Sequence, residues 1–222
     1  SMNDDKNLVD SHMDSKNISG YIWNDSILND AHNYLLPALF NELRKIEFSN
    51  IEEKKVFEVG CGNGSVANRL SLADYSVIGV DPSIDGIKEA NLAFPELSLF
   101  KGSAYDDLSG TYGEFPIVVS LEVVEHVYFP RLYAKTIFKL LQPGGTAIIS
   151  TPYHGYWKNL ALAITGKMDL HFTALWDHGH IKFWSRETLK ELLLEAGFSN
   201  IKFVRVGRIP LFAKSMIAIV TK

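Results

Sequence analysis

The sequence predicts a doubly wound α/β domain: one open sheet of about seven strands, mostly parallel with an antiparallel last strand, and helices on both faces. Three observations predict it. Short apolar runs alternate with stretches of helical periodicity from Tyr21 to the end of the chain. The stretch Val56–Asp81, VFEVGCGNGSVANRLSLADYSVIGVD, reads as strand, glycine-rich turn, helix and a second strand that ends in an acid. Phe115–Leu121, FPIVVSL, is apolar on both faces, as a central parallel strand must be.

The elements follow in order. Residues 1–19 are polar and expected to be disordered, and Ser1 ahead of Met2 reads as a remnant of tag removal. Residues 20–222 are expected to form a single domain with a lid insertion at about 153–184. From Tyr21 to Phe48, Ile27, Ala31, Tyr34, Leu35, Ala38, Leu39 and Leu43 recur at helical spacing, with Pro37 able to bend or restart the helix. Tyr21 and Trp23 could fold over a bound ligand. After the opening unit, Pro82 and Ser83 start a helix over Ile84–Ala93, and Ser98–Lys101 is a third strand followed by the polar loop GSAYDDLSGTYGE. Arg131–Leu141 is a helix stopped by Gln142-Pro143-Gly144-Gly145, and Thr146–Thr151 is a fifth strand. Ser185–Ala196 is a helix with Ser185 as N-cap and Gly197 as its stop. Ile201–Val206 and Ser215–Thr221 read as a final hairpin pair.

Bulk properties exclude several classes. With 46% hydrophobic and 22% charged residues, the 222-residue chain has the composition of a globular protein with a sizeable core. A net charge of −4 offers no bulk attraction to nucleic acid or anionic membrane. The lone Cys61 excludes an internal disulfide. No apolar run is long enough for a transmembrane helix and the start does not resemble a secretory signal, so the default location is the cytoplasm.

The glycine turn carries the first chemical signal. Gly60-Cys61-Gly62-Asn63-Gly64 has the pattern G-x-G-x-G, with Ser65 where a dinucleotide fingerprint would want glycine. Glu58, two residues before the first glycine, would repel a pyrophosphate and attract a cation. Asp81 is placed to accept hydrogen bonds from a ribose diol. The ligand implied has a ribose and a positive charge, with no phosphate required.

Here the chain resembles the class I S-adenosylmethionine-dependent methyltransferases. The resemblance covers about residues 51–222, through EVGCGNG, GVDPS, the GSAYD loop, SLEVVEHV, LLQPGGTAIISTP and the EAGF end of the last helix. It implies a Rossmann-like fold and S-adenosyl-L-methionine as cofactor. It also implies that Gly60, Gly62 and Gly64 line the methionine part, Glu58 lies near its amino end and Asp81 grips the ribose. By the same resemblance Pro82 and Ser83 border the adenine, Ser103 and Ala104 flank its other side, and Leu121 and Glu122 complete the pocket floor. One departure is Ser103, where many relatives carry Asp; altered affinity is expected there, with binding retained.

The methyl acceptor points to two further places. Glu122-Val123-Val124-Glu125-His126, if helical, puts three polar side chains at i, i+3 and i+4, where two carboxylates and an imidazole can hold a divalent cation. Asp177-His178-Gly179-His180 precedes Phe183-Trp184-Ser185-Arg186. With no cysteine in either cluster, Mg²⁺, Mn²⁺ or a catalytic Zn²⁺ suits such ligands better than a structural zinc.

E-x-x-E-H followed by H-x-H-x-x-x-W-S-R resembles two methyltransferase groups: the ubiquinone-biosynthesis O-methyltransferases and the enzymes that methylate the 3′-terminal 2′-hydroxyl of small RNAs. The second resemblance implies Glu122, Glu125, His126 and His180 as metal ligands. His178 is then the general base, with His126 as the other candidate; aligned on the quinone enzymes instead, His178 is the better match to their single histidine, and the assignment of His178 and His180 stays open to exchange. A plainer reading stays open, in which Glu122 serves only the cofactor, His126 caps the next segment and both distal histidines are solvated. His12, His32, His154 and His171 carry no assigned role.

Tyr153–Trp176 is apolar but interrupted by Gly166, Lys167 and Asp169, and is expected to cap a hydrophobic acceptor, with a dip into a membrane surface as the sharper alternative. The expected activity is O-methylation of a small quinone- or catechol-like molecule. Methylation of an RNA 3′ end is the alternative, although acids outnumber Lys+Arg 26 to 22. A non-catalytic cofactor-binding regulator and a nicotinamide oxidoreductase are the readings from other classes.

Overall fold

A computed structural model of the chain describes residues 34–153, 164, 182–207 and 213–222. Helix α1, residues 34–43, turns Leu35, Leu36, Leu39 and Leu43 inward and leaves Pro37 exposed. The helix ends well before Phe48, and a 3₁₀ turn over Ile51–Glu53, capped by the Asn50 side chain, leads into the sheet. The remainder of the expected first helix, with Tyr21 and Trp23, lies outside the described residues.

The sheet elements then alternate with helices: β1 Lys55–Val59, α2 Ser65–Leu72, β2 Ser76–Asp81, α3 Ile84–Ala93, β3 Ser98–Lys101, α4 Leu108–Tyr112, β4 Phe115–Leu121, α5 Pro130–Leu140 and β5 Leu141–Pro152. Helix α6, Arg186–Ala196, and strands β6, Ser199–Gly207, and β7, Ala213–Thr221, complete the described part. Among the described residues seven strands make one sheet in the order β3-β2-β1-β4-β5-β7-β6. Strands β1 to β5 run parallel, and β7 alone is reversed, between β5 and β6.

Alternate residues of the buried strands feed two cores. Val56, Ile117, Val119 and Ile148 pack with Leu39 and Leu43 of α1 and with residues of α2 and α3. Phe57, Val118, Ala147 and Ile149 pack with Tyr133 and Ile137 of α5 and Leu189 and Leu193 of α6. A strand buried on both faces cannot shift register by one residue without exchanging two apolar faces of different shape.

Three local differences from the sequence expectation have physical causes. The polar loop after β3 contains α4, started by the Asp107 carboxylate accepting from the Gly110 amide. Strand β5 begins at Leu141, because pairing jumps from Phe115↔Leu141 to Ile117↔Thr146 and leaves Gln142–Gly145 looped out. That loop is held by the chain end, with Gly144 N–H donating to the Lys222 carbonyl and Lys222 N–H to that of Gly145. Finally, only Val124–His126 of EVVEHV is helical, as a single 3₁₀ turn.

Candidate functional site

The sheet reverses winding beside β1, since the chain builds β1, β2 and β3 outward to one side and then returns to place β4 on the other. A cleft at the carboxyl ends of the strands opens at such a switch point. The glycine turn follows β1 directly, at that end of the sheet. Gly60 and Cys61 amides donate to the Val80 carbonyl at 2.8 and 3.0 Å, which folds the turn across the end of β2.

The three glycines have different reasons to be there. A Cβ on Gly60 would collide with Val123 Cγ2, and one on Gly64 would meet Leu99 Cδ1 at 2.9 Å. Gly62 has φ +50° and nothing within 4 Å of a Cβ placed on it. All three take positive φ; Gly60 and Gly64 are in addition closed off by packed side chains, whereas Gly62 faces open space.

Glu58 projects from β1 between β2 and β4, is 2% exposed, and its Oε1 has no hydrogen-bond partner. Burial, reinforced by the Asp81 charge, pushes its pKa up to about 8. A buried carboxyl with an orphaned oxygen is costly unless a proton or a ligand cation answers it. Asp81 braces the loop: its Oδ2 accepts from Gly62 N–H at 3.0 Å and its Oδ1 from Ser83 N–H at 2.9 Å. Each oxygen keeps a second lone pair able to accept a further hydrogen bond. Burial raises the Asp81 pKa, with those two amides opposing.

Other expected cofactor residues have structural partners too. Pro82 leads into α3, whose N-cap Ser83 Oγ accepts from Gly86 N–H at 3.0 Å. Ser103 Oγ accepts from Tyr105 N–H at 3.1 Å, and the neighbouring Ala104 is partly buried against the core. Leu121 is half-buried at the end of β4.

Glu122 follows with φ +56°, its amide bonded to both the carbonyl and the hydroxyl of Ser150. This corrects the helical-face expectation: Glu122 stands before the 3₁₀ turn in left-handed backbone, so the i, i+3, i+4 relation does not position it. Its carboxyl nevertheless meets that of Glu125. Ser215 Oγ donates to Glu122 Oε1 at 2.6 Å, and Thr151 Oγ1 donates to Glu125 Oε2 at 3.2 Å. Glu125 is 1% exposed and its Oε1 has no hydrogen-bond partner; His126 Nε2 lies 3.6 Å from that oxygen. Burial first, and the Glu122 carboxyl second, hold the Glu125 pKa well above the usual carboxylate range.

Among the described residues no three or more His, Cys, Asp or Glu side chains gather as a metal-holding group. The donor types, two carboxyls and an imidazole, are those of a hard or borderline divalent ion, but Glu122, Glu125 and His126 do not come together as such a group, and the buried Glu125 Oε1 is costly unless a proton or a cation answers it. His178 and His180 lie outside the described residues, as does all of the lid except Tyr153, Ile164 and Lys182–Trp184. The chain leaving it is tied to the acidic turn, with Lys182 N–H donating to the Glu125 carbonyl at 3.0 Å and Trp184 Nε1–H to that of Val124 at 3.1 Å.

Ser150, Thr151 and Ser215, each no more than 1% exposed, escaped the sequence reading. Their signal was available, since all three are hydroxyls at the ends of otherwise apolar runs, IIST and SMIAIV.

Comparison with known proteins bears on the family and the fold. A family described as "Methyltransferase domain" matches residues 30–202. A ubiquinone biosynthesis O-methyltransferase of Psychrobacter arcticus is 28% identical over 171 residues, covering 74% of this chain and 66% of that protein. One of the same name from Bradyrhizobium diazoefficiens is 34% identical over 149 residues, covering 64% of this chain and 56% of the relative. The chain thus spans less than two thirds of the length of these relatives. Among solved structures, the methyltransferase domain of bacterial CtHen1 superposes with a TM-score of 0.62 at 21% identity, over 84% of this chain and 97% of that one. At such identity the likeness shows the fold. The seven-stranded order, the glycine turn and acids at the strand ends, and the match over most of the described chain lead to one conclusion: the protein belongs to the methyltransferase-domain family, with the class I S-adenosylmethionine-dependent fold.

Proposed function

We propose that the chain binds S-adenosyl-L-methionine across the carboxyl ends of β1 to β4 and transfers its methyl group to an oxygen of a small quinone- or catechol-like acceptor. The observation that carries the cofactor reading is Glu58, whose buried Oε1 without a partner suits the amino group of the methionine part. Gly60, Gly62 and Gly64 would border that part, Asp81 the ribose, and Pro82, Ser83, Ser103 and Ala104 the adenine. Leu121 and Glu122 would close the floor. The O-methyltransferase relatives support the acceptor class.

Methyl transfer from a sulfonium is an in-line displacement in which charge is neutralised, so alignment and exclusion of water favour it. The acceptor hydroxyl must also lose its proton, a task for His178, or for His126 beside Glu125. Glu122, Glu125, His126 and His180 would hold a divalent ion (Mg²⁺, Mn²⁺ or Zn²⁺), and Lys182 and Trp184 tie the segment that follows His180 to the turn carrying Glu125. When bound, such an ion lowers the pKa of a coordinated hydroxyl. The lid is proposed to cover the acceptor and to contact a membrane surface if the acceptor is lipid-like.

Calorimetry with S-adenosylhomocysteine and with NAD tests the cofactor reading. Tight binding of the first and none of the second is expected; the reverse overturns it. A mass-spectrometric acceptor screen with small catechols and a 3′-hydroxyl RNA then tests the acceptor class, and methylation of the RNA alone would replace it. For the metal, EDTA and Glu125→Ala are each expected to stop turnover while S-adenosylhomocysteine affinity persists.

A further inference from the structure

The loop between β3 and α4, which carries Ser103 and Ala104, is braced from within. Ser103 N–H donates to Asp106 Oδ2 at 2.8 Å, Ser103 Oγ accepts from Tyr105 N–H at 3.1 Å, and Asp106 N–H donates to the Ser103 carbonyl at 3.1 Å. Its start is tied to β2, where Gly102 N–H donates to the Asp81 carbonyl at 3.0 Å. A second tie reaches a distant part of the chain. The Tyr105 phenolic oxygen accepts from the Tyr128 amide at 2.8 Å and, more weakly, from the Phe129 amide at 3.4 Å. The Tyr105 ring also meets the Phe129 ring edge-on, with centroids 5.5 Å apart.

Burial does little to hold Tyr128 and Phe129, since both side chains are largely exposed. Phe129 is the N-cap of α5 and makes no side-chain cap bond, and its amide is one of those that a helix start leaves without an internal partner. Tyr105, 24 positions away in the chain, supplies that partner. Beside it, loop and helix part around a cleft of about 130 Å³ lined by Tyr105, Asp106, Leu108, Leu132, Lys135 and Thr136. The two elements therefore do not meet in a filled interface, and the phenol is a discrete tie between them.

We infer that Tyr105 is a positioning residue that links the cofactor loop to Tyr128–Phe129, so that a cofactor seated against Ser103 and Ala104 stiffens the segment just after Glu125 and His126. The inference rests on the cofactor reading above. Tyr105 acts through the two amides it holds, without touching the reacting atoms. The link is reciprocal: whatever the bound cofactor adds to the tie, the tie adds to cofactor affinity.

The test is hydrogen exchange of the full chain with and without S-adenosylhomocysteine, resolved at the Tyr128 and Phe129 amides, with calorimetry beside it. The proteins compared are the parent, Tyr105→Phe and Phe129→Leu. One hydrogen bond of ordinary strength corresponds to a factor of about 2–10, and in the parent the ligand is expected to slow exchange at both amides by that factor. Tyr105→Phe keeps the ring and loses the acceptor, so the slowing should vanish and S-adenosylhomocysteine affinity should fall by about the same factor. Phe129→Leu keeps the acceptor and should behave as the parent does. If the ligand binds but leaves 128 and 129 unchanged in the parent, or slows them equally in Tyr105→Phe, the link is wrong and the cofactor reading stands. Loss of the slowing in Phe129→Leu as well would make the contact one of ring packing and overturn the role of the hydroxyl. So would a Tyr105→Phe protein that exchanges faster throughout and unfolds at lower urea, which is the mark of a general structural role. If the parent binds no S-adenosylhomocysteine, both the link and the cofactor reading fall.

Discussion

Glu58 is the buried group at which the strand interior would meet the proposed cofactor. Its pKa stands at about 8 because burial, and secondarily Asp81, disfavour the charged form. The neutral acid therefore contributes stability that is full below about pH 4.5 and is lost as the pH rises through about 8. A ligand amino group beside it reverses the preference. S-adenosylhomocysteine binding at pH 7 is expected to release close to one proton, and affinity to rise from pH 6 to about 8 and then level off. Calorimetry in two buffers of different ionisation enthalpy measures the release, and Glu58→Gln should abolish it. A second residue-scale prediction separates the glycines. Gly60→Ala drives a methyl into Val123 and should destabilise the fold by several kcal/mol, read by urea unfolding. Gly62→Ala meets no protein atom, so its stability cost should be near the ~1–2 kcal/mol of left-handed backbone while cofactor affinity falls sharply.

At the scale of elements, the 3₁₀ turn Val124–His126 is held from outside its own sequence. Trp184, 9% exposed, packs in the α5/α6 core and donates to the Val124 carbonyl, so Trp184→Phe removes that bond and part of the packing. A loss of about 1–3 kcal/mol in urea unfolding is expected, with faster amide exchange at 124–126. Helix α6 behaves more locally. Its capping box joins Ser185 and Thr188, so Ser185→Ala should cost about 1 kcal/mol and leave cofactor affinity alone. The contrast explains which elements were readable. Bounds of α3 and β4 match the sequence reading, since cap, period and apolar run are local signals. Short α4 was not readable, because five residues of LSGTY carry no periodicity and the element depends on one Asp107 cap. EVVEHV misled for a related reason: its spacing suits a helix, but strand β4 continues to Leu121 and Glu122 must turn the chain at positive φ.

For the whole molecule, the two cores share β1, β4 and β5, so these strands should show the slowest amide exchange and lose it only on global unfolding. S-adenosylhomocysteine at 100 times its Kd should add about 2.7 kcal/mol to stability, measured by denaturant titration with and without ligand. Among the described residues no helix is long and apolar enough to cross a membrane. Vesicle flotation with and without residues 153–184 tests the proposed surface contact, which fails if the full chain never floats. The amino-acid sequence determined the winding order, the glycine turn and the acids at the strand ends, because these follow from local periodicity and short-range turn chemistry. Tertiary structure alone decided that Gly62 is the glycine facing open space, that Asp81 braces the turn it serves, and that Thr151 and Ser215 hold the two acids of EVVEHV. Those facts depend on which strands become neighbours. Ser215 lies 93 positions from Glu122 in the chain, yet antiparallel pairing of β5 and β7 places their side chains 2.6 Å apart.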